Sequence, residues 1–207
     1  ALEKGIPNLL RHVSNIKNVY RLPCVVAVNR FPTDTDKEID FVIEKCKELG
    51  VNVKLSTVWA DGGKGGEELA KEVVRLCEEE SNADFSFSYD TNASIPEKIK
   101  AIVTKVYGGA DVSILPSAMK QIKTLEEMGL DKLPVCIAKT QYSFSDDPTK
   151  LGAPEDFTVT VRNVKISAGA GFIVVLTGDI MTMPGLPKVP AAEKIDVDEN
   201  GKITGLF

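Results

Sequence analysis

Two aromatic side chains, Phe31 and Trp59, stand where a flat ligand is commonly held. Phe31 follows the apolar run Pro23 to Val28, closed by Asn29 and Arg30, and Trp59 follows the alternating run Val51 to Val58. A short β-branched run bounded by turn formers reads as a strand buried on both faces. In open α/β sheets, ligands collect beyond the carboxyl ends of such strands. Two rings on that edge clamp a flat heteroaromatic by stacking. Aromatics also cap ordinary cores. The flanking residues favour the ligand: Phe31-Pro32-Thr33-Asp34-Thr35 on one side, Asp61-Gly62-Gly63-Lys64-Gly65-Gly66 on the other.

Other segments carry weaker chemistry. The Lys64 loop precedes a helix, whose N-terminus attracts anions. It is not a Walker A loop, because Lys64 is followed by glycine rather than Ser or Thr; a flexible turn with a solvated lysine explains it equally. Asp34 and Asp36 are a candidate metal or base pair, or else helix-capping residues, with Asp36 standing at the cap position. The polar block Lys139 to Pro148 follows another buried strand, Pro134 to Ala138. Its Gln141, Tyr142, Ser143 and Ser145 read as an exposed binding loop. His12 lies in a helical segment with no Cys or Ser partner and reads as a surface or packing histidine. No Ser-His-Asp arrangement and no metal-ligand spacing is recognisable, so no metal site is expected.

The elements that position these residues follow from periodicity. Helical spacing marks Asn8 to Tyr20, a helix from Asp36 to Gly50, and Glu67 to Cys77. With the strands between them, the order β-α-β-α implies parallel strands joined by crossover helices. Pro96 after Ser94, and Pro116 after Leu115, open two more helices. Phe157 to Ile166 alternates as a half-exposed strand, Phe172 to Leu176 is a further strand, and Asn200-Gly201 centres a hairpin. Met181 to Pro190 holds three prolines and a glycine and reads as a rigid loop. The fold class is α/β: a mostly parallel sheet with crossover helices in a Rossmann-like or P-loop NTPase-like three-layer arrangement, plus a smaller C-terminal α+β portion. Residues 1–80 form an α/β segment carrying the aromatic pair, 81–130 a mainly helical connection, and 131–207 a second α/β segment ending in the hairpin.

At 207 residues the chain is long enough for one large domain. A net charge of -5 argues against a nucleic-acid scaffold. No run approaches the roughly 18–20 apolar residues that span a bilayer, and no signal peptide is visible. The four cysteines form no CxxC pair, which suits reduced thiols in the cytosol or an organelle matrix.

Several long stretches together resemble formate–tetrahydrofolate ligase, specifically its C-terminal part. They are Pro-Cys-Val-Val-Ala-Val-Asn-Arg-Phe-Pro-Thr-Asp-Thr (23–35), Trp-Ala-Asp-Gly-Gly-Lys-Gly-Gly-Glu-Glu-Leu-Ala (59–70), Leu-Pro-Val-Cys-Ile-Ala-Lys-Thr-Gln-Tyr-Ser-Phe-Ser-Asp-Asp-Pro (133–148), Ser-Ala-Gly-Ala-Gly-Phe-Ile (167–173) and Asp-Ile-Met-Thr-Met-Pro-Gly-Leu-Pro-Lys (179–188). The resemblance implies a cytoplasmic ligase of one-carbon metabolism that joins formate to N10 of tetrahydrofolate with ATP cleavage, through formyl phosphate. It implies Mg-ATP and tetrahydrofolate as substrates, stimulation by a monovalent cation, and a homotetramer. Folate would lie between Phe31 and Trp59, beside Pro32 and Thr33. The nucleotide's base would lie near Gln141, Tyr142, Ser143 and Ser145, and Lys64, Pro184 and Leu186 are possible loop contacts. The family's P-loop and its formyl-phosphate-holding basic residues lie in an N-terminal half that this sequence lacks. Its catalytic residues are therefore expected mainly there, with that half as partner and the isolated chain inactive. A non-catalytic α/β assembly or ligand-binding module is the alternative. A GTPase-like switch built on Val28-Asn29-Arg30 fails for want of a phosphate loop.

Overall fold

The computed structural model describes residues 1–79, 84–178, 180 and 188–205. Helix α1 (Leu2–Ser14) runs into a π turn (Asn15–Val19) and begins six residues before the helix read from the sequence. Then come β1 (Val25–Asn29), α2 (Asp36–Glu48) and β2 (Asn52–Ser56). β1 and β2 are parallel, from Val25 opposite Asn52 to Asn29 opposite Ser56. A parallel pair needs a crossover rather than a hairpin, and α2 supplies it. The α2 cap is Thr35, not Asp36: Thr35 Oγ1 accepts the Glu38 N–H, and the Glu38 carboxylate accepts the Thr35 N–H. A capping box satisfies two orphan donors at once, which a carboxylate at Asp36 does not. Asp36 is instead the first helical residue, paired with Arg30 at 2.9 Å.

The strand read from Val51 to Val58 stops at Ser56. Val58 and Trp59 lie on a helical turn, α3 (Val58–Asp61), which passes through a 3-10 turn (Gly62–Gly66) into α4 (Glu67–Glu79). The core of this half is small: Val13, Val26, Cys46 and Val51 are buried together. Among the described residues β1 and β2 pair only with each other, so each keeps an open outer edge.

The second half is a four-stranded sheet of order β3-β5-β6-β4. Its elements are α5 (Ile95–Ala101) with a π turn (Ile102–Tyr107), β3 (Asp111–Ile114), α6 (Pro116–Glu127), β4 (Val135–Ala138), β5 (Thr158–Ser167) and β6 (Phe172–Thr177). β3 falls inside the stretch read as mainly helical. β3 runs parallel to β5, and β4 parallel to β6, while β5 and β6 form an antiparallel hairpin. The α/β class therefore holds, with most strand pairs parallel but divided between separate sheets. A register shift between Val161 and Asn163 breaks the alternation of β5, so Val159 and Val161 are buried and then Val164.

The larger core packs α5 and α6 on this sheet through Ile95, Ile99, Ile122, Val159, Ile173 and Val175. Each such side chain contributes about 1.5–3 kcal/mol. Lys98 is 0% exposed among them. Its ammonium donates to the carbonyls of Asp131 (2.6 Å) and Leu133 (3.1 Å), fastening the turn that feeds β4. β7 (Asp196–Val197) and β8 (Ile203–Thr204) form the expected hairpin, with Gly201 at φ 77.

Helix α1 ties the halves together. It packs on α2, while the Asn8 amide donates to Gly152 O (3.0 Å), the Asn15 amide to Val106 O (2.9 Å), and Arg11 pairs with Glu155 at 3.1 Å. No helix among the described residues is long and apolar enough to cross a membrane.

Candidate functional site

Beyond β1, the Arg30 N–H still reaches Ser56 O (2.9 Å), holding the chain beside β2 for one more residue. A tight turn follows. The Asp34 carboxylate accepts the Phe31 N–H (2.8 Å), and the Asp34 N–H donates to Phe31 O (3.0 Å). This is local side-chain capping of a turn, and it explains Asp34 without a metal. Pro32 and Thr33 form the exposed crown, and the Phe31 ring is 45% exposed.

Trp59 is set by a second local lock. The Thr57 N–H donates to Gly65 O (3.0 Å), and the Thr57 hydroxyl donates to the Asp61 carboxylate (2.7 Å). Gly65 passes so close that a Cβ there would stand 2.5 Å from the Thr57 carbonyl carbon. The glycine-rich segment thus seats the turn that carries Trp59. Trp59 is 60% exposed.

The structure brings the two rings together: their centroids are 6.2 Å apart and tilted by 48°. A flat ring between two others needs about 3.5 Å to each face, or roughly 7 Å in all. The pair is therefore in mutual contact and takes a flat ligand only by spreading. The exposure of both rings makes that inexpensive.

Lys64 is exposed on the same loop, but the helix beyond it opens with Glu67 and Glu68, both bridged to Lys71 at 2.9 Å. Two carboxylates in the first turn oppose an incoming phosphate. The residues present do not fit a triphosphate cradle, and no group of three or more His, Cys, Asp or Glu suited to a metal occurs among the described residues.

The loop after β4 differs from expectation. Gln141 is exposed and Tyr142 is 65% exposed, but Ser143, Phe144 and Ser145 are buried, Ser145 to 1%. A polar loop packs when its hydroxyls satisfy its own backbone. Here Ser143 Oγ accepts the Ser145 N–H (3.0 Å) and donates to Lys150 O, and Ser145 Oγ accepts the Asp147 N–H (3.1 Å). The Asp146 carboxylate accepts the Thr160 N–H (2.9 Å), bolting the loop to β5. Of the four expected binding residues, Gln141 and Tyr142 keep exposed side chains for a ligand and Ser143 and Ser145 do not.

Behind this loop lies a cavity of about 200 Å³, lined by Asn8, His12, Asn15, Tyr107, Lys139 and Gln141 among others. The Lys139 ammonium donates to Thr140 O (2.8 Å) and to Ser143 O, and sits 5.3 Å from the Tyr107 ring centre. Burial holds the Lys139 pKa below the ordinary lysine value, with Asp146 opposing. His12 is exposed, and its ring lies against Phe144 with centroids 4.7 Å apart and planes tilted by 42°. Its pKa lies below 6.5, first through burial and then through Lys139. Burial pushes the Tyr107 hydroxyl up to about 12. Sequence reasoning reads His12 as a surface or packing histidine, gives Lys139 only as the first residue of the polar block, and passes over Tyr107 and Asn15. Only the place of Lys139, directly after a buried strand, signals it. Pro184 and Leu186, with the rest of 181–187, lie outside the described residues.

Against models of known families, residues 1–207 match that of formate–tetrahydrofolate ligase.

Proposed function

The chain belongs to the formate–tetrahydrofolate ligase family, and we propose that it supplies the folate-ring site of that family's reaction. The observation that carries this is the Phe31–Trp59 pair, two exposed rings fixed side by side by separate locks beyond adjacent parallel strands. Spread about a pterin, they hold it by both faces and exclude water there. N10 lies outside the ring system, so stacking leaves its lone pair free to attack the carbon of formyl phosphate. The C–N bond forms as the C–O bond to phosphate breaks, and the N10 proton leaves to solvent.

Phosphoryl transfer needs cations and a phosphate cradle. Glu67 and Glu68 oppose a phosphate at the glycine loop, and the sequence holds no Gly-x-x-x-x-Gly-Lys-Ser/Thr motif. We therefore assign formation of formyl phosphate from Mg-ATP, and any monovalent-cation site, to an N-terminal half of the enzyme. Gln141 and Tyr142 contribute the nearest contacts to the nucleotide's base in this reading, and the whole works in the cytoplasm as a homotetramer. The test is formyltetrahydrofolate production from formate, Mg-ATP and tetrahydrofolate. The purified chain should bind tetrahydrofolate yet turn over none; steady turnover by the chain alone overturns the division of labour. The open edges of β1 and β2 favour a second reading, a non-catalytic assembly module, which absence of tetrahydrofolate binding would support.

A further inference from the structure

The cavity between α1, the π turn after α5 and the loop after β4 has a charge imbalance that the folate site does not use. Lys139 brings a half-buried ammonium and has no carboxylate at ion-pair distance among the described residues. Asp146 is the one acidic group felt by Lys139, and its carboxylate already accepts from the Thr160 N–H and the Ser145 hydroxyl. Arg11, on the same helix as His12, is paired with Glu155. Tyr107 stays neutral up to about pH 12. Asp146 is not among the lining residues, so the lining itself carries one positive charge, the half-buried ammonium of Lys139. A charge partly removed from water with no carboxylate at ion-pair distance is costly.

Hydrogen-bonding capacity is also left over. An ammonium has three protons; two of those on Lys139 go to Thr140 O and Ser143 O. Neither His12 ring nitrogen has a hydrogen bond among the described residues. Asn15 lines the cavity, is only 6% exposed and donates its amide N–H to Val106 O, which leaves its oxygen as an acceptor. About 200 Å³ is the volume of roughly six or seven waters. That is room for a group of four or five heavy atoms with a water beside it.

We infer that this cavity binds a compact oxyanion, a carboxylate or a phosphate, facing Lys139 and His12, with uptake of one proton from solvent by the His12 imidazole. The anion completes the charge of Lys139. It also cancels the repulsion that disfavours imidazolium, so binding and protonation reinforce each other. The Asn15 oxygen accepts from the retained water or from a protonated oxygen of the ligand. The site goes beyond the folate reading and stands whether or not Gln141 also meets a nucleotide.

His12 is the single histidine of the chain, so its ring protons give unambiguous NMR signals. The 207-residue chain is titrated in chloride, and again with acetate or inorganic phosphate at equal ionic strength, without nucleotide or folate. The His12 midpoint should start below 6.5 and rise by about half a unit or more with the anion that fits, one unit being tenfold in linked affinity. A rise with acetate alone assigns a carboxylate, and one with phosphate alone a phosphate group. An unchanged midpoint with both overturns the site. Lys139→Met should raise the midpoint without anion and abolish the response; a retained response overturns the role of Lys139. If that variant does not fold, His12→Gln, on the exposed side of α1, serves. The anion should raise the wild-type melting temperature more below the ordinary imidazole range than above it. Persistence of that pH difference in the variant refutes proton uptake at His12.

Discussion

Trp59 is the only tryptophan of the chain and is 60% exposed, so its fluorescence reads the stacking pair directly. Consider Phe31→Ala. In the free chain the rings touch at 6.2 Å, a contact worth about 0.5–1.5 kcal/mol. A folate ring must break that contact before making its own two stacks, each worth about 1–3 kcal/mol. Removing Phe31 deletes one stack but also removes the contact that had to be broken. The net loss is then centred on about 1 kcal/mol and reaches at most about 2.5 kcal/mol, or roughly fivefold and at most about seventyfold in affinity. That is smaller than the loss of a ring from an already open slot. Titrating tetrahydrofolate against Trp59 emission, with calorimetry as a second measure, gives both dissociation constants. Emission should be quenched in both proteins, with the midpoint displaced in the variant. Unchanged emission at calorimetric saturation would show that the ligand does not stack on Trp59, and the clamp would be refuted. A loss far beyond a hundredfold would instead mean that the resting pair is open, contrary to the geometry here.

Gly65→Ala forces a methyl against the Thr57 carbonyl and should cost about 1–3 kcal/mol, displacing the α3 turn; a Trp59 spectrum and urea midpoint like wild type would contradict this. Asp146→Ala removes the acceptor for the Thr160 N–H and should cost about 1–3 kcal/mol by urea denaturation; no loss would mean that the loop is not bolted to β5. Lys98→Met leaves the Asp131 and Leu133 carbonyls without their shared donor, with a comparable expected loss in the same assay. The folded state holds His12 below 6.5, so between 6.5 and its folded value the unfolded chain binds more protons, and stability falls as pH is lowered through that window. His12→Gln should flatten that slope in urea titrations, and an identical slope would place the titrating group elsewhere.

Much of the scaffold was legible because apolar periodicity is a strong signal. The strands at Val25–Asn29, Val135–Ala138 and Phe172–Thr177 stand where β-branched runs announced them. The Ser94 cap before Pro96 and the turn at Gly201 also follow directly from residue type. β3 was not legible, because Asp111-Val112-Ser113-Ile114 is four residues with two polar ones, and only pairing with β5 makes it a strand. The slip in β5 was hidden because a bulge leaves composition unchanged. The Phe31–Trp59 pair was legible through its flanks, although its closure at 6.2 Å depends on side-chain packing. The burial of Ser143 and Ser145 was the clearest misreading. A serine-rich stretch looks solvated unless each hydroxyl is known to find a backbone partner, and that is a tertiary fact.

The aromatic pair sits on the less self-sufficient half of the chain. Among the described residues its buried cluster is Val13, Val26, Cys46 and Val51 and its two strands pair only with each other, whereas the second half packs two helices on four strands. A two-stranded parallel sheet is marginal alone, because parallel strands depend on burial of both faces. What steadies it here is α1, which packs on α2 and reaches the second half through Asn8 and Arg11, and through Asn15 at the start of the π turn that continues it. His12 lies on that same helix, facing the cavity with Lys139. The oxyanion site and the stacking site are thus built on opposite dependants of one helix. A ligand that firms the cavity wall firms the support of β1 and β2 as well, so occupancy of one site should register as stiffness, rather than as a new contact, at the other.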